Sequence, residues 1–431
     1  MIPAPARAQP EAGWLPGFLP ASARRLQVAD DLLRETLAAA GAELVDSAAD
    51  VEIGPAAAIE GVAPLALVPV WARSRDVDGR VPGAADRILV SLRARLRATH
   101  GAAQLRRRGY RAEVVGWDLN RRLFARPRSL EERLPRRALA IGRRGATGPT
   151  LLDALLAEAE VDAAEIVVRE AFLVAAGPGR VVRVAIGPAA ELLRVQRESL
   201  AGLRPLERFE RVVPRVVADG RTGLADWLAE RRLQGNPAAE APPDALDFLV
   251  ALFGGGEGAP VRAADDAELL AALVPAEADG LRGIAASVDD ALAGVRRGFV
   301  HGDFWSGNLL VEDDRLSGVV DWDAAGPGRL PLVDLLHLRL IEARRPAGHR
   351  WGPALIDELL PWARRGGDEA AARYASAVGL DLDADRLRAL VAGYWLQRLA
   401  YQAGSYADRV ERPRWLENNL TLPLRAFAQL S

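Results

Sequence analysis

One stretch of this 431-residue chain constrains it more than any other. It runs Val300-His-Gly-Asp-Phe-Trp-Ser-Gly-Asn-Leu-Leu-Val311 and is followed by Gly318-Val-Val-Asp-Trp-Asp323. The order is an acid (Asp303), an amide (Asn308), then two more acids (Asp321 and Asp323). Apolar runs flank both groups, as short buried strands would. Phosphoryl transfer needs such a set: a carboxylate to orient a hydroxyl, then an amide and a carboxylate to hold magnesium.

The spacing of these residues resembles that of the aminoglycoside phosphotransferase and choline kinase family. The resemblance covers roughly residues 163–428, with its strong motifs between Val300 and Leu338. It implies an α+β, two-lobed protein-kinase-like fold, with a small antiparallel-sheet N-lobe and a mainly helical C-lobe. It also implies ATP as the donor. By the same resemblance Asp303 orients the acceptor hydroxyl, Asn308 and Asp321 hold Mg²⁺, and His301 braces the catalytic loop through hydrogen bonds. Asp323 is read as either a second metal or water contact or a brace for the loop. Asp334 is read as a helix cap or loop brace.

Composition bears on this reading at one point. The chain has no lysine, so all 56 basic residues are arginine. Kinase-fold enzymes use a lysine on an N-lobe strand to hold the α- and β-phosphates. Here that position falls on Arg183, with Glu198 as its expected ion-pair partner and Glu191, seven residues earlier on nearly the same helix face, as a second candidate. Arginine is planar and grips phosphate through a fork, so the exchange is not conservative. The adenine is expected against a hinge at Glu230, Arg231, Arg232 and Leu233, through backbone groups.

The chain also has no cysteine, which excludes disulfides, thiolate metal sites and cysteine nucleophiles. Its four histidines are scattered, which argues against a histidine zinc site. Net charge is −2, yet 16 arginines stand against four acids between Arg93 and Arg144. Solvated helix faces are the simpler account of that block; an anionic partner is the alternative. Nucleic acid is disfavoured, because the block has little aromatic interleaving and no nucleic-acid motif.

Three regions are expected. Residues 1–148 read as a small α/β domain of unknown role, with helical patterns at Ala23–Ala40 and Ala84–Arg108 and apolar runs at Leu65–Val70 and Ala112–Trp117. Residues 149–235 read as the N-lobe: a strand at Glu165–Ala175, a turn, a strand at Val181–Ile186, then a helix from Gly187 to about Leu203. Residues 236–431 read as the C-lobe. No leader peptide or membrane span is evident, so a cytoplasmic protein without a membrane partner is expected. The expected function is ATP- and Mg²⁺-dependent transfer of the γ-phosphate to a hydroxyl of an aminoglycoside-, sugar- or amino-alcohol-like small molecule. The alternative is a pseudokinase that binds nucleotide and serves as a scaffold or regulator.

Overall fold

The short apolar runs of the first region become a six-stranded sheet. Its spatial order is Glu43–Leu44, Arg25–Val28, Val51–Ile53, Leu65–Trp71, Arg137–Arg143, Arg111–Trp117. The first four strands are parallel and the last two antiparallel. The computed structural model describes residues 12–71, 84–117, 137–163, 165–169, 172–256, 258–347, 351–405, 410 and 412–428. The helical pattern expected over Ala23–Ala40 splits: Arg25–Val28 is a strand, and the helix starts at Asp31. Asp30 caps it by accepting from the Leu33 N–H, which fixes the start there.

Helix Ala84–Arg107 covers one face of this sheet, with Ala102 and Leu105 against Ala66, Val68 and Ala140. The other face is not closed by the first region alone. Trp14, Leu19, Leu33 and Leu37 share one core with Val182, Val184, Ile186 and Trp227 of the next sheet. A boundary at 148 therefore separates the strands of two sheets without separating their cores. Part of the arginine-rich block lies outside the described residues. Among the described ones, Arg143 pairs with Glu113, Arg106 donates to the Ala112 carbonyl, and Arg144 stacks over Tyr110.

The second sheet has five antiparallel strands in the order Val216–Thr222, Ala225–Arg231, Arg180–Ile186, Leu173–Ala176, Glu165–Val168. The stretch expected as one strand, Glu165–Ala175, is in fact a hairpin: Glu165 pairs with Ala176 and Val168 with Leu173. Helix Ala190–Gly202 lies on this sheet through Leu192 and Leu193 against Ala185 and Leu228.

The rest of the chain is mainly helical around a separate large core. Two small sheets interrupt it and carry the motif. Leu309–Glu312 pairs with Arg315–Val319, and Gly298–Val300 pairs with Gly326–Arg329. They set the loops 301–308 and 320–325 side by side. Gly302 has φ +79°, and a Cβ there would meet the Ala324 carbonyl oxygen at 2.3 Å, so only glycine lets these loops touch. An antiparallel small lobe followed by a helical lobe is the kinase-like α+β arrangement that the resemblance implies. Among the described residues no helix is long and apolar enough to cross a membrane.

Docking of the first region on the small lobe is testable at Gly187. Its φ is +63°, and an added Cβ would sit 2.4 Å from the Thr36 carbonyl oxygen. Gly187→Ala should lower stability in urea unfolding by about 2 kcal/mol or more. Gly179→Ala, where an added Cβ meets nothing within 4 Å, should change it by under ~0.5 kcal/mol. Equal effects at the two positions would contradict the docking.

Candidate active site

The loop between Val300 and Leu309 is tied down from several sides. Asp334, near the start of helix Val333–Ala347, accepts from the backbone N–H groups of His301 (2.8 Å) and Gly302 (2.7 Å). It thus braces the loop, as the sequence suggested. His301 is fully buried, and burial pushes its pKa down to about 4, so the ring is neutral at pH 7. Its Nε2 lies 3.0 Å from the Val320 carbonyl oxygen, and its Nδ1 lies 3.3 Å from the Asp303 N–H. A carbonyl can only accept, so Nε2 carries the proton and Nδ1 accepts. The ring joins the two loops and has no lone pair left over for proton transfer.

Asp303 sits at the centre of three side chains. Its Oδ1 accepts from Arg398 Nη2 at 2.6 Å and lies 3.0 Å from His337 Nε2; its Oδ2 accepts from Asn308 Nδ2 at 3.0 Å. Arg398 also donates to the Gly302 carbonyl. Burial alone would raise the Asp303 pKa, but Arg398, then His337, outweigh it and hold the carboxyl well below the usual range. Asp303 is therefore a fixed, poorly basic acceptor of hydrogen bonds. Arg398 and His337 were not picked out from the sequence. The signal for Arg398 was the series Tyr394, Arg398 and Tyr401, at helical spacing inside helix Ala384–Ser405.

Asp321 lies at φ +66°, a conformation that a non-glycine residue adopts mainly where surrounding contacts impose it. Its Oδ1 is 2.5 Å from Arg183 Nη2. Burial would raise its pKa, but Arg183 and then Arg169 hold it lower than usual. Asp323 is different: burial and the neighbouring Asp321 charge push it up to about 7. It takes a hydrogen bond from the Tyr401 hydroxyl, so in this structure it braces the loop.

The expected partner of Arg183 needs correction. Glu198 and Glu191 both pair with Arg194 on the outer side of their own helix. Arg183, 6% exposed, instead places Nε 3.5 Å from Glu230 Oε2, on the adjacent strand. Leu228 is opposite Arg183 in the ladder, so Glu230, two residues on, shares its face. The helix contributes an amide instead: Gln196 Nε2 donates to Glu230 Oε1 at 2.6 Å. Burial would lower the Arg183 pKa, but Asp321, then Glu230, outweigh it and keep the guanidinium charged at any working pH.

The expected hinge is corrected in part. The N–H groups of Arg231 and Arg232 already donate to the Arg215 and Gly179 carbonyls, and Arg232 Nη1 donates to the Gly177 carbonyl. Glu230 is inside the strand with its side chain on Arg183. Leu233, the last residue of the expected run, lies beside Gly318.

Among the described residues no three acidic or histidine side chains converge into a metal cage. The donors present do fit magnesium. The Asn308 amide nitrogen is used twice, on the Asp303 carbonyl and carboxylate, which leaves its oxygen as the end able to bind a cation. Asp321 supplies a second hard oxygen. Two protein oxygens, completed by phosphate and water, are what magnesium takes, whereas calcium needs a fuller cage.

The role of Arg398 gives a pH-dependent expectation. Asp303 titrates in the folded state below its unfolded value of ~3.9, so its contribution to stability is present above that pH and fades as pH falls through the folded value. In Arg398→Met, burial should dominate and raise the folded pKa above the unfolded one. The variant should lose about 3 kcal/mol in urea unfolding at pH 7.5 and clearly less at pH 5. An equal loss at both pH values would contradict the pairing.

Comparisons with known proteins agree with the motif. Residues 169–374, just under half of the chain, match the model of the phosphotransferase enzyme family. No curated protein matches. Solved structures similar to the chain include aminoglycoside phosphotransferase APH(3'')-Id from Streptomyces rimosus, at 21% identity. That match covers 58% of this chain and 97% of that chain, with a TM-score of 0.42. Aminoglycoside-3'-phosphotransferase of type VIII is 20% identical, covering 56% of this chain and 97% of that one, with a TM-score of 0.36. A thermostable mutant of APH(4)-Ia in ternary complex with ADP and hygromycin B is 17% identical, covering 64% and 98%, with a TM-score of 0.38. The match over residues 169–374 is to the kind of family that the catalytic motif led us to expect.

Proposed function

We propose that this protein is an ATP-dependent small-molecule kinase. It transfers the γ-phosphoryl group to a hydroxyl of a sugar-, aminoglycoside- or amino-alcohol-like acceptor. The observation that carries this reading is the set of hydrogen bonds on Asp303. Arg398, His337 and Asn308 fix its carboxylate beside the loop that bears Asp321.

Each residue then has a task. The acceptor hydroxyl donates to Asp303, which aligns its oxygen with the γ-phosphorus. The new O–P bond forms as the bond to the ADP oxygen breaks. Such a transition state is loose, so it asks for alignment more than for a strong base. A carboxylate with a depressed pKa suits that task. Asn308 and Asp321 would hold magnesium, which neutralises charge on the phosphates. Arg183 exchanges Asp321 for the α- and β-phosphate oxygens, and Glu230 keeps it aimed throughout. With ATP as donor, the cytoplasm is the compartment proposed.

One observation favours a second reading. Arg183 is held on Asp321, a contact that a nucleotide-binding scaffold without turnover could keep permanently. A coupled assay of ADP release separates the two. Asp303→Asn should lower kcat by about 10²–10⁴-fold and leave the nucleotide KM within about threefold. ADP release that is the same in wild type and Asp303→Asn, with every acceptor tried, would favour the scaffold.

A further inference from the structure

A cavity of about 240 Å³ adjoins the site. It lies between helices Ala190–Gly202, Ala263–Leu273 and Ala384–Ser405 and the segment that follows Asp323. Gly302, Asp323 and Arg398 form its edge, and Arg398 is the residue that holds Asp303. A molecule seated there therefore has the proposed transfer centre at its border. The cavity is smaller than the ~300–1,000 Å³ typical of sites for drug-sized ligands. Leu192, Leu269 and Val333 make much of its wall apolar.

The polar groups in the wall are uneven in what they still offer. Of the three acids, Asp266 has only the 3.9 Å contact with Arg329, whereas Asp265 accepts from the Arg262 N–H at the start of its helix and Asp323 takes the Tyr401 hydroxyl. Arg329 is the opposite case. It is 6% exposed, its Nε has no hydrogen-bond partner, and its distance to Asp266 is too long for a hydrogen bond. An unmade bond on a buried donor is unfavourable, and a ligand oxygen would satisfy it.

We infer that this cavity is the acceptor pocket, and that its acceptor is a compact alcohol with an apolar body and a carboxylate or carbonyl oxygen held by Arg329. A polyamine sugar fits less well, because two of the three wall acids are already hydrogen-bonded and Leu192, Leu269 and Val333 offer it no polar partner. The inference rests on the phosphotransferase reading and narrows its substrate. In the reaction, the alcohol O–H oxygen forms the O–P bond and ADP leaves with the electron pair of the broken Pγ–O bond. The hydroxyl proton passes to Asp303 or water.

The test is ADP release from Mg-ATP by the full-length protein with three acceptors. These are 4-(hydroxymethyl)benzoate, 4-methylbenzyl alcohol (which lacks the carboxylate) and kanamycin, within a wider panel of compact hydroxy acids. The compact acids should saturate with kcat/KM at least tenfold above both the uncharged alcohol and kanamycin. Arg329→Met should remove the preference for the carboxylate. Because that change leaves Asp266 alone in the wall, Val195→Trp provides a second test by filling the cavity. It should raise the acceptor KM at least tenfold and shift the nucleotide KM less than twofold. Compact acids that do no better than kanamycin would overturn the pocket inference. If kanamycin is then turned over in an Asp303-dependent way, the phosphotransferase reading still stands. If no acceptor raises ADP release and Asp303→Asn changes nothing, both fail.

Discussion

A single buried guanidinium joins the two lobes at this site. Arg183 stands on a strand of the small lobe and binds Asp321, on a loop of the helical lobe, and Glu230, on its own sheet. An isolated ion in such a place would be strongly disfavoured, because desolvation is large and only good pairing offsets it. Two carboxylates and one guanidinium leave the triad with one excess negative charge. Burial, and then the neighbouring Asp321 charge, push the pKa of Asp323 up to about 7, so it does not add a full third charge. The cluster is balanced without nucleotide only while Arg183 stays between the acids. That makes its position sensitive to whatever binds there.

Asp303 repeats the arrangement on the neighbouring loop. There Arg398 supplies the cation, and the helix that carries it also carries Tyr394, whose hydroxyl meets His337 Nδ1 at 2.8 Å. Asp303 and Asp321 thus each have an arginine from a distant element. One consequence is geometric stiffness, since a charge-assisted hydrogen bond fixes both distance and direction. Another is chemical, since the two motif acids stay ionised at neutral pH while Asp323 sits near its midpoint. The absence of lysine is met by rearranging partners around arginine. A glutamate on the neighbouring strand and a glutamine on the helix now do what a helix glutamate was expected to do.

How much of this was legible in the sequence depends on how local each feature is. The motif from His301 to Asp323 could be read because its residue types and spacing sit within one pair of loops. The strands Leu65–Trp71, Arg111–Trp117 and Arg180–Ile186 and the helix Ala190–Gly202 followed from apolar runs and from Gly187-Pro188. The hairpin inside Glu165–Ala176 and the short strand Arg25–Val28 were missed, since runs of four residues carry too little periodicity to tell strand from helix. The partner of Arg183 was missed for another reason. Glu198 has the right spacing on a helix, but strand register decides the matter by putting Glu230 on the same face as Arg183. Arg398, 95 residues from Asp303, is brought in by tertiary packing alone.

The central claim is that Glu230, and not Glu198, aims Arg183 at the nucleotide. Calorimetric titration of Mg-ATP into Glu230→Gln and Glu198→Gln tests it most directly. Glu230→Gln should weaken binding at least tenfold, about 1.4 kcal/mol, and Glu198→Gln should stay within twofold of wild type. The reverse order, or equal losses in both variants, would contradict the account.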